Sequence, residues 1–312
     1  MHPRNPHHAG YNFAALTAAS PPLAPFVRTA PHGGPTIDFA DPAAVKALNG
    51  ALLLHHHGVR AWDLPPGYLC PPVPGRADYL HTVADLLATT TGGVIPQGAG
   101  VRVLDVGVGA NLIFPLLGHD AYGWSFVGTD VDPVALRHAA KLLAANPRFS
   151  SAVSLRRQPA RDRIFAGVVA ADERFALTLC NPPFHPSPEA AAAGTRRKLR
   201  QLGGGTAPRL RRNFGGTNSE LWCAGGELGF IRRLIDESRV IAGRVGWFTT
   251  LVSSREHLLP LERALDRAGA KDVRVLPLEQ GQKRSRILAW RFGLPDQSRP
   301  FSFKKERRMP SA

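Results

Sequence analysis

The sequence predicts an α/β fold with an open, Rossmann-like sheet, because strand-like and helix-like segments alternate along its middle. Three apolar runs carry this prediction, since each ends in residues that suit a ligand site. In chain order these runs are residues 101–105, 125–130 and 177–180. Open α/β sheets bind ligands outside the carboxyl ends of their strands, so we expect the three ends to share one site.

Composition limits the possible partners and compartments. The 312 residues include 39 Lys and Arg against 24 Asp and Glu, and the formal net charge of +15 favours a polyanionic partner. No apolar stretch approaches the roughly 20 residues of a membrane-spanning helix, and the N-terminus lacks a signal peptide's apolar run. We expect a cytoplasmic protein without a membrane partner. The three cysteines are widely spaced, which supports neither a disulfide framework nor a metal site.

The first run leads into a glycine turn. Asp105, Gly107 and Gly109 form an Asp-x-Gly-x-Gly motif, and its glycines let the backbone approach a ligand closely. A nicotinamide-dinucleotide fingerprint would have a third glycine at Leu112, so the motif suits S-adenosylmethionine better. Glycine turns after strands are common, and the motif alone leaves a plain turn open.

The second run ends at Asp130, which lies 25 residues after Asp105. An acid at this place in an α/β nucleotide site commonly binds the ribose hydroxyls, and we predict that role for Asp130. The alternative is a turn acid next to the helix that Asp132 and Pro133 begin.

The third run stops at Asn181, Pro182, Pro183 and Phe184. Two consecutive prolines fix φ and remove two N–H donors, which holds the Asn181 side chain and the Pro182 carbonyl as neighbouring acceptors. A planar base with an exocyclic amine can donate both hydrogens to them and stack on Phe184. The delocalised amine is a poor nucleophile, and the acceptors draw it towards the geometry that attacks a methyl group. The alternative is a strand followed by a proline-rich turn.

The N-terminal part, residues 1–95, is predicted to be an arm followed by a helical extension. Residues 1–40 are expected to form the arm, in which Arg4 can lie against phosphates; a disordered tail is the alternative. A helix after Asp41 is expected to end at the histidines 55–57, which we interpret as a surface feature. Prolines between residues 64 and 75 then predict a stiff connector that can bring Arg76 to a pocket, unless Arg76 only caps or pairs on the surface.

Residues 96–295 are predicted to form the Rossmann-like domain, and residues 296–312 a basic tail. The domain includes a basic loop, residues 190–219, that contains no acidic residue. We expect the loop to grip RNA phosphates, the alternative being a solvated insertion. Its cations are Arg196, Arg197, Lys198, Arg200, Arg209, Arg211 and Arg212.

The chain resembles, essentially end to end, the bacterial 23S rRNA (adenine(1618)-N6)-methyltransferase family, which is related to the eukaryotic methyltransferase-like protein 16 lineage. The resemblance rests on several blocks: residues 2–5, 70–79, 105–111, 180–184, 213–216, 220–227 and 280–283. It implies a class I S-adenosylmethionine-dependent methyltransferase, with a seven-stranded sheet, a closing antiparallel strand and an N-terminal RNA-binding addition. It also implies methyl-donor contacts at Arg76, Gly107, Asn111, Asp130 and Asn181.

We therefore expect N6-methylation of adenine 1618 in 23S rRNA, either free or in a large-subunit assembly intermediate. The expected donor is S-adenosylmethionine, the product S-adenosylhomocysteine, with no metal, and a monomer is favoured. The donor-binding residues are expected to include Asp105 and Gly109 besides those that the resemblance implies. Two alternatives remain open. The amine of a DNA adenine or a protein glutamine fits the same motif, although the basic loop argues against a protein substrate, and a non-catalytic RNA-binding or assembly protein would retain the fold.

Overall fold

The structure is a computed structural model, and it describes residues 1–31, 33–191, 218–280 and 283–293. The seven predicted RNA-binding cations of the basic loop, residues 196–212, and the tail 296–312 lie outside the described residues.

A seven-stranded mixed sheet forms the centre of the described structure, and its order is β5-β4-β3-β6-β7-β9-β8. The four pairings among β3 to β7 are parallel, whereas β9 runs antiparallel between β7 and β8. The strands are β3 (Arg102–Val106), β4 (Ser125–Asp130), β5 (Val153–Arg157), β6 (Phe175–Cys180), β7 (Val245–Val252), β8 (Asp272–Gln280) and β9 (Lys283–Arg291). A small hairpin precedes them: β1 (Arg28–Thr29) and β2 (Pro35–Thr36).

This sheet confirms the predicted fold class, including the closing antiparallel strand. Strands β6 and β7 are buried along their whole length, which explains why their sequences are continuous apolar runs rather than alternating ones. Strand β3 lies between β4 and β6, so the ends of the three predicted runs are neighbours at one edge of the sheet. The crossovers on the two sides of β3 lead in opposite directions, and such a switch point is where open α/β sheets form their ligand crevice.

Helices cover the sheet, and several begin where the sequence predicts a cap. Asp41 and Asp132 each accept a hydrogen bond from the backbone two residues on, and a proline follows each of them. The helices are α1 (Phe13–Ala19), α2 (Pro42–His57), α3 (Val73–Ala88), α4 (Ile113–Tyr122), α5 (Pro133–Ala145), α6 (Pro147–Ser150), α7 (Asn218–Leu221), α8 (Gly226–Ser238) and α9 (Leu258–Ala268). Short 3-10 turns span Pro21–Phe26, Arg239–Arg244 and Arg255–His257.

Helix α3 corrects one boundary. The proline-rich connector was expected to reach residue 75, but α3 already begins at Val73 and contains Pro74 and Gly75. A proline fits the first turn of a helix, because the N–H group it lacks has no partner within the helix there. Arg76 therefore projects from the first full turn of a helix rather than from an extended segment.

The N-terminal segment is packed against the rest of the chain, not detached as an arm. Phe13, Leu16 and Leu23 are buried in the same hydrophobic cluster as Val101 and Val103 of the sheet domain. The side-chain amide of Asn5 donates to the Pro74 carbonyl at 2.9 Å and to Asp78 Oδ1 at 2.6 Å. A disordered tail is thus excluded for residues 1–31. The boundary at residue 95 between an extension and a catalytic domain stays a prediction.

Arg4 has partners within the chain. Its guanidinium donates to Asp85 at 2.7 Å, to the Tyr122 hydroxyl at 3.1 Å and to the His81 carbonyl at 3.1 Å. These bonds fasten the N-terminal segment to α3 and α4, while the side chain remains 40% exposed. The predicted phosphate contact of Arg4 stays a prediction.

The histidines at the end of α2 are not all at the surface. His55 and His56 are exposed, but His57 is buried and its Nδ1 lies 2.9 Å from Asp120 Oδ2. Helical spacing turns His57 towards α4. The interpretation of all three histidines as a surface feature is therefore wrong for His57. The fully buried ring of His7 packs edge-on against His56 and His57, at centroid distances of 4.8 and 5.8 Å.

This histidine cluster makes the fold acid-sensitive. Burial, reinforced by His56, His57 and His81, lowers the pKa of His7 from 6.5 to about 3, so His7 stays neutral in the folded chain. Below about pH 6.5, His7 is protonated in the unfolded chain but not in the folded chain. The free energy of unfolding therefore falls as the pH falls towards the pKa of His7 in the folded chain. Each such histidine contributes a slope of at most about 1.4 kcal/mol per pH unit.

We expect His7→Phe to flatten this slope by up to that amount between pH 6.5 and 4. Burial also lowers the pKa of His81 to about 4, and its contribution remains in the variant. Urea titrations of both proteins at several pH values measure the difference. Identical slopes would contradict a neutral, buried His7.

Candidate active site

A cavity of about 430 Å³ opens at the carboxyl ends of β3, β4 and β6. Ligand sites commonly have about 300–1,000 Å³. The cavity brings together seven of the residues predicted from the sequence: Arg76, Gly107, Gly109, Asn111, Asp130, Asn181 and Pro183. Asp105 is buried at the end of β3 and does not line the cavity, and neither do Pro182 and Phe184, which flank the lining residue Pro183 in the chain.

The glycine turn after β3 forms one wall of the cavity. Gly107 and Gly109 have φ values of +74° and +66°, in the left-handed region that favours glycine. A Cβ atom on Gly107 would meet nothing within 4 Å, so the backbone here faces open space that a ligand can enter. The turn is fixed by two bonds, in which the N–H groups of Gly107 and Val108 both donate to the Thr129 carbonyl at 2.9 Å.

Asp130 ties the ends of β4 and β3 together. Its Oδ2 accepts from the Gly109 N–H at 2.9 Å, and its Oδ1 accepts from the Asp132 N–H at 2.9 Å. Burial raises the pKa of Asp130 despite these backbone donors. Each carboxylate oxygen can accept a further hydrogen bond, so the ribose role predicted for Asp130 is compatible with these contacts.

Asp105 is a buried carboxyl group that lacks a partner among the described residues. It is 1% exposed, and neither oxygen accepts a hydrogen bond. Burial and the nearby Asp130 raise its pKa to about 8, and the guanidinium of Arg76 opposes the shift. Burying a carboxyl group without a partner costs free energy, and a cation or a hydrogen-bond donor that approaches it recovers this cost. Asp105 therefore points to a ligand group.

Arg76 provides the cationic part of the site. Its guanidinium lies 5.7 Å from the centroid of the Phe114 ring, and burial lowers the pKa of Arg76 to about 10. The group therefore remains charged at neutral pH, with a planar set of donors that matches a carboxylate.

Asn181 presents an acceptor that no described residue satisfies. Its Oδ1 is buried and receives no hydrogen bond. Two hydroxyl groups, of Tyr79 and Thr249, hold the end of β6 just before this residue. The Tyr79 hydroxyl accepts from the Cys180 N–H at 3.4 Å and lies 2.8 Å from Thr249 Oγ1 in β7. The end of β6 is thus held in place, and the Asn181 oxygen that follows it has no hydrogen-bond partner among the described residues.

The segment after Asn181 is joined to a later part of the chain. The His185 N–H donates to the Leu221 carbonyl at 3.0 Å, and the Cys223 N–H donates to the His185 carbonyl at 3.1 Å, which makes a parallel bridge between His185 and Trp222. Gly226 opens helix α8 at φ +59°, and a Cβ there would lie 3.2 Å from the backbone nitrogen of Pro186. The absence of a side chain at Gly226 therefore lets α8 begin directly against the Asn-Pro-Pro-Phe segment.

Glu227 completes this junction. Its backbone N–H donates to the Phe184 carbonyl at 3.4 Å. Its fully buried carboxylate accepts from the Ser253 N–H at 2.6 Å and the Ser254 N–H at 3.4 Å, and it lies 2.5 Å from His257 Nδ1. One acid thereby connects β6, β7 and the start of α8 around the cavity.

Sequence reasoning missed one wall of the cavity, the loop after β5. Gln158 is buried and bonds to the backbone at Ala160, Ile164 and Ala166, while Glu237 of α8 accepts from three consecutive N–H groups starting at Ile164. Other missed lining residues include Arg161, Arg163, Glu220, Trp222, Phe230 and Arg233. The only available signal for the loop was that it follows the carboxyl end of a parallel strand.

The described part of the chain shows neither a metal-binding cluster nor a membrane-spanning helix. In residues 1–31, 33–191, 218–280 and 283–293, no three His, Cys, Asp or Glu side chains are grouped so that they could hold a metal ion. Within the same ranges, no helix has the length and apolar character required to cross a membrane.

The sheet order and the glycine-turn cavity define a class I S-adenosylmethionine-dependent methyltransferase. Comparison with known proteins agrees. The catalytic domain of human METTL16 in complex with MAT2A 3′UTR hairpin 6 has a TM-score of 0.77 and 30% identity, over 94% of this chain and 97% of that one. The N-terminal domain of human METTL16 in complex with SAH has a TM-score of 0.74 and 27% identity, over 94% and 99%.

A family model described as RNA methyltransferase matches residues 1–293. The "Ribosomal RNA large subunit methyltransferase F" of Pseudomonas aeruginosa is 54% identical over 311 residues, which cover 98% of this chain and 91% of that protein. The chain belongs to this RNA methyltransferase family, and S-adenosylmethionine is its methyl donor.

Proposed function

We propose that the enzyme methylates the N6 atom of one adenine in 23S rRNA, adenine 1618. The observation that carries the proposal is the buried, unsatisfied Oδ1 of Asn181 in a cavity that also contains the donor turn. An amine hydrogen is the partner that this oxygen lacks. The choice of large-subunit ribosomal RNA is supported by the name of the 54% identical relative.

The residues of the cavity fit S-adenosylmethionine. Arg76 is assigned to the carboxylate of its amino-acid part. Asp105 does not itself line the cavity but directly precedes the lining residue Val106, and this buried acid, which has no partner among the described residues, is assigned to the ammonium group. Gly107, Gly109 and Asn111 are assigned to the adjoining wall, where the open space beside Gly107 admits a ligand, and Asp130 to the ribose hydroxyls. When bound, the donor supplies a methyl group activated by a positively charged sulfur.

The acceptor side positions the amine. In the proposed complex the two N6 hydrogens bond to Asn181 Oδ1 and the Pro182 carbonyl, which draws the nitrogen lone pair out of the ring and towards the methyl group. The methylated nitrogen is transiently cationic and loses a proton to water, so no strong base is needed. Pro183 holds the turn, and Phe184, which is half-buried, stacks on the base when it enters from outside the present cavity lining.

Positive charge supports an RNA strand at the entrance. Arg161 and Arg163 are exposed on the rim of the cavity, and Arg233 is partly exposed beside them. The net charge of +15 agrees with a polyanion. The seven cations from Arg196 to Arg212 are proposed to grip the same strand. We further propose that the enzyme acts as a monomer on free rRNA or on a large-subunit assembly intermediate.

Methyl transfer from labelled S-adenosylmethionine tests the proposal. The substrates are protein-free 23S rRNA, a large-subunit assembly intermediate, duplex DNA and a glutamine-containing protein mixture. We expect label in the ribosomal RNA, recovered as N6-methyladenosine in one nuclease fragment. Label found only in DNA or only in protein would mean that this class of molecule, and not ribosomal RNA, is the substrate. If no substrate were labelled although the donor still bound, the result would favour a non-catalytic RNA-binding protein.

A further inference from the structure

Trp222 has an indole N–H without a partner on the wall of the cavity. The side chain is partly buried, Nε1 itself is inaccessible to solvent, and no described residue accepts its hydrogen. Leaving a buried donor unsatisfied costs about 1–3 kcal/mol, so such groups are rare without a reason. Trp247 also has an unsatisfied Nε1, but its ring packs against the guanidinium groups of Arg274 and Arg291 and does not line the cavity.

The bridge to His185 puts Trp222 on the acceptor side of the cavity. His185 follows Phe184 directly, and its backbone bonds to both neighbours of Trp222. The glycine turn and Asp130, which are assigned to the donor, come from β3 and β4 instead. Trp222 is therefore fixed relative to the Asn-Pro-Pro-Phe segment by main-chain hydrogen bonds.

Two residues that line one cavity thus carry unsatisfied polar atoms of opposite kind. Asn181 Oδ1 can only accept, and Trp222 Nε1 can only donate. Adenine presents the complementary pair on either side of its amine, because N6 donates while N1 and N7, the ring nitrogens that flank it, accept. Guanine has an acceptor oxygen at C6 in place of the amine and would oppose Asn181.

We propose that Trp222 Nε1 donates a hydrogen bond to N1 or N7 of the target adenine and thereby fixes the orientation in which the amine meets Asn181. This inference rests on the proposed function and adds a base-reading residue to it. It assigns Trp222 to the acceptor base, and it leaves the methyl donor to the residues already named.

The test uses Trp222→Phe, which removes the N–H and keeps an aromatic ring. Single-turnover rates are measured at saturating donor on target RNA containing adenine, 1-deazaadenine or 7-deazaadenine at the methylated position. We expect the variant to be about tenfold slower on adenine, the effect of losing roughly one hydrogen bond. On one of the two deaza substrates the parent enzyme should be slower by a similar factor, whereas the variant should be no slower than it is on adenine. The ring nitrogen that this substrate lacks is then the one that Trp222 contacts.

Controls separate this result from a structural effect. Trp247→Phe removes an unsatisfied indole N–H that lies away from the cavity. Each deaza substrate should lower the rate of this variant by the same factor as it lowers the rate of the parent enzyme. Calorimetry with S-adenosylhomocysteine should give the parent's affinity in Trp222→Phe. Trp222→Leu, which also lacks the N–H, provides a second test if the phenylalanine variant does not fold.

Three outcomes would overturn the inference. These are an unchanged rate on adenine, deaza losses of equal size in parent and variant, or a loss of S-adenosylhomocysteine affinity, which would place the indole on the donor. Failure of the proposed function is distinguishable, because the parent enzyme would then form no N6-methyladenosine in the adenine RNA.

Discussion

Asn181→Ala is expected to slow methylation about 100-fold or more at saturating RNA, with RNA affinity nearly unchanged. The Asn181 oxygen is buried and unpaired in the free enzyme, so its removal leaves no other group unsatisfied and the fold should tolerate the change. Its bond to the amine matters most as the nitrogen becomes pyramidal, which is why the effect falls on the rate rather than on binding. Single-turnover kinetics with saturating RNA and donor measure it directly.

Phe184→Ala provides the contrast. Loss of base stacking should weaken RNA binding by about 1–3 kcal/mol and affect the saturated rate less. An Asn181→Ala enzyme that methylates at the parent rate would remove Asn181 from the chemistry. If both variants lost only RNA affinity, the whole Asn-Pro-Pro-Phe segment would be a binding surface.

Glu227→Ala should destabilise the protein by about 3–5 kcal/mol, since it removes a buried acid from the groups that it bonds in the interior. The Ser253 and Ser254 N–H groups and the His257 ring would lose their acceptor in an interior where nothing described replaces it. The backbone N–H that Glu227 donates to the Phe184 carbonyl remains in the alanine variant, but the start of α8 that carries it loses its side-chain bonds to the end of β7. Denaturant titration measures the stability, and methylation assayed well below the unfolding midpoint measures the effect on the site.

Glu256→Ala is the matched control for this prediction. Glu256 is exposed and lies next to His257 in the same short turn, so its removal should change stability by less than about 0.5 kcal/mol. A Glu227→Ala protein as stable as the control would mean that the junction around the cavity does not depend on this carboxylate.

The strands that build the site could be predicted because their signals are local. An apolar run that ends in Gly107, Asp130 or Asn181 contains both the strand and the ligand group, and the caps at Asp41 and Asp132 mark helix starts in the same way. These features depend on neighbours within a few residues, which a single sequence displays directly.

The rest of the cavity depends on contacts between distant residues. Trp222 becomes a wall residue only because its neighbours bond to His185, 37 positions earlier, and Gly226 is needed only because α8 abuts Pro186. His57 is buried because Asp120, far along the chain, faces it. No periodicity reports such pairings, so the loop after β5 and the Trp222 segment could not be found from residue patterns.

The bridge between His185 and Trp222 also bears on how this enzyme can change its target. The bridge closes the chain on itself, so that the residues before Ala191 and after Asn218 are anchored to each other beside the cavity. These bonds are made by residues outside the stretch between the anchors, so exchanging that stretch is expected to leave the bridge in place. Grafting another basic segment between the same two anchors would therefore test whether this stretch selects the RNA while the methyl-transfer residues keep their positions.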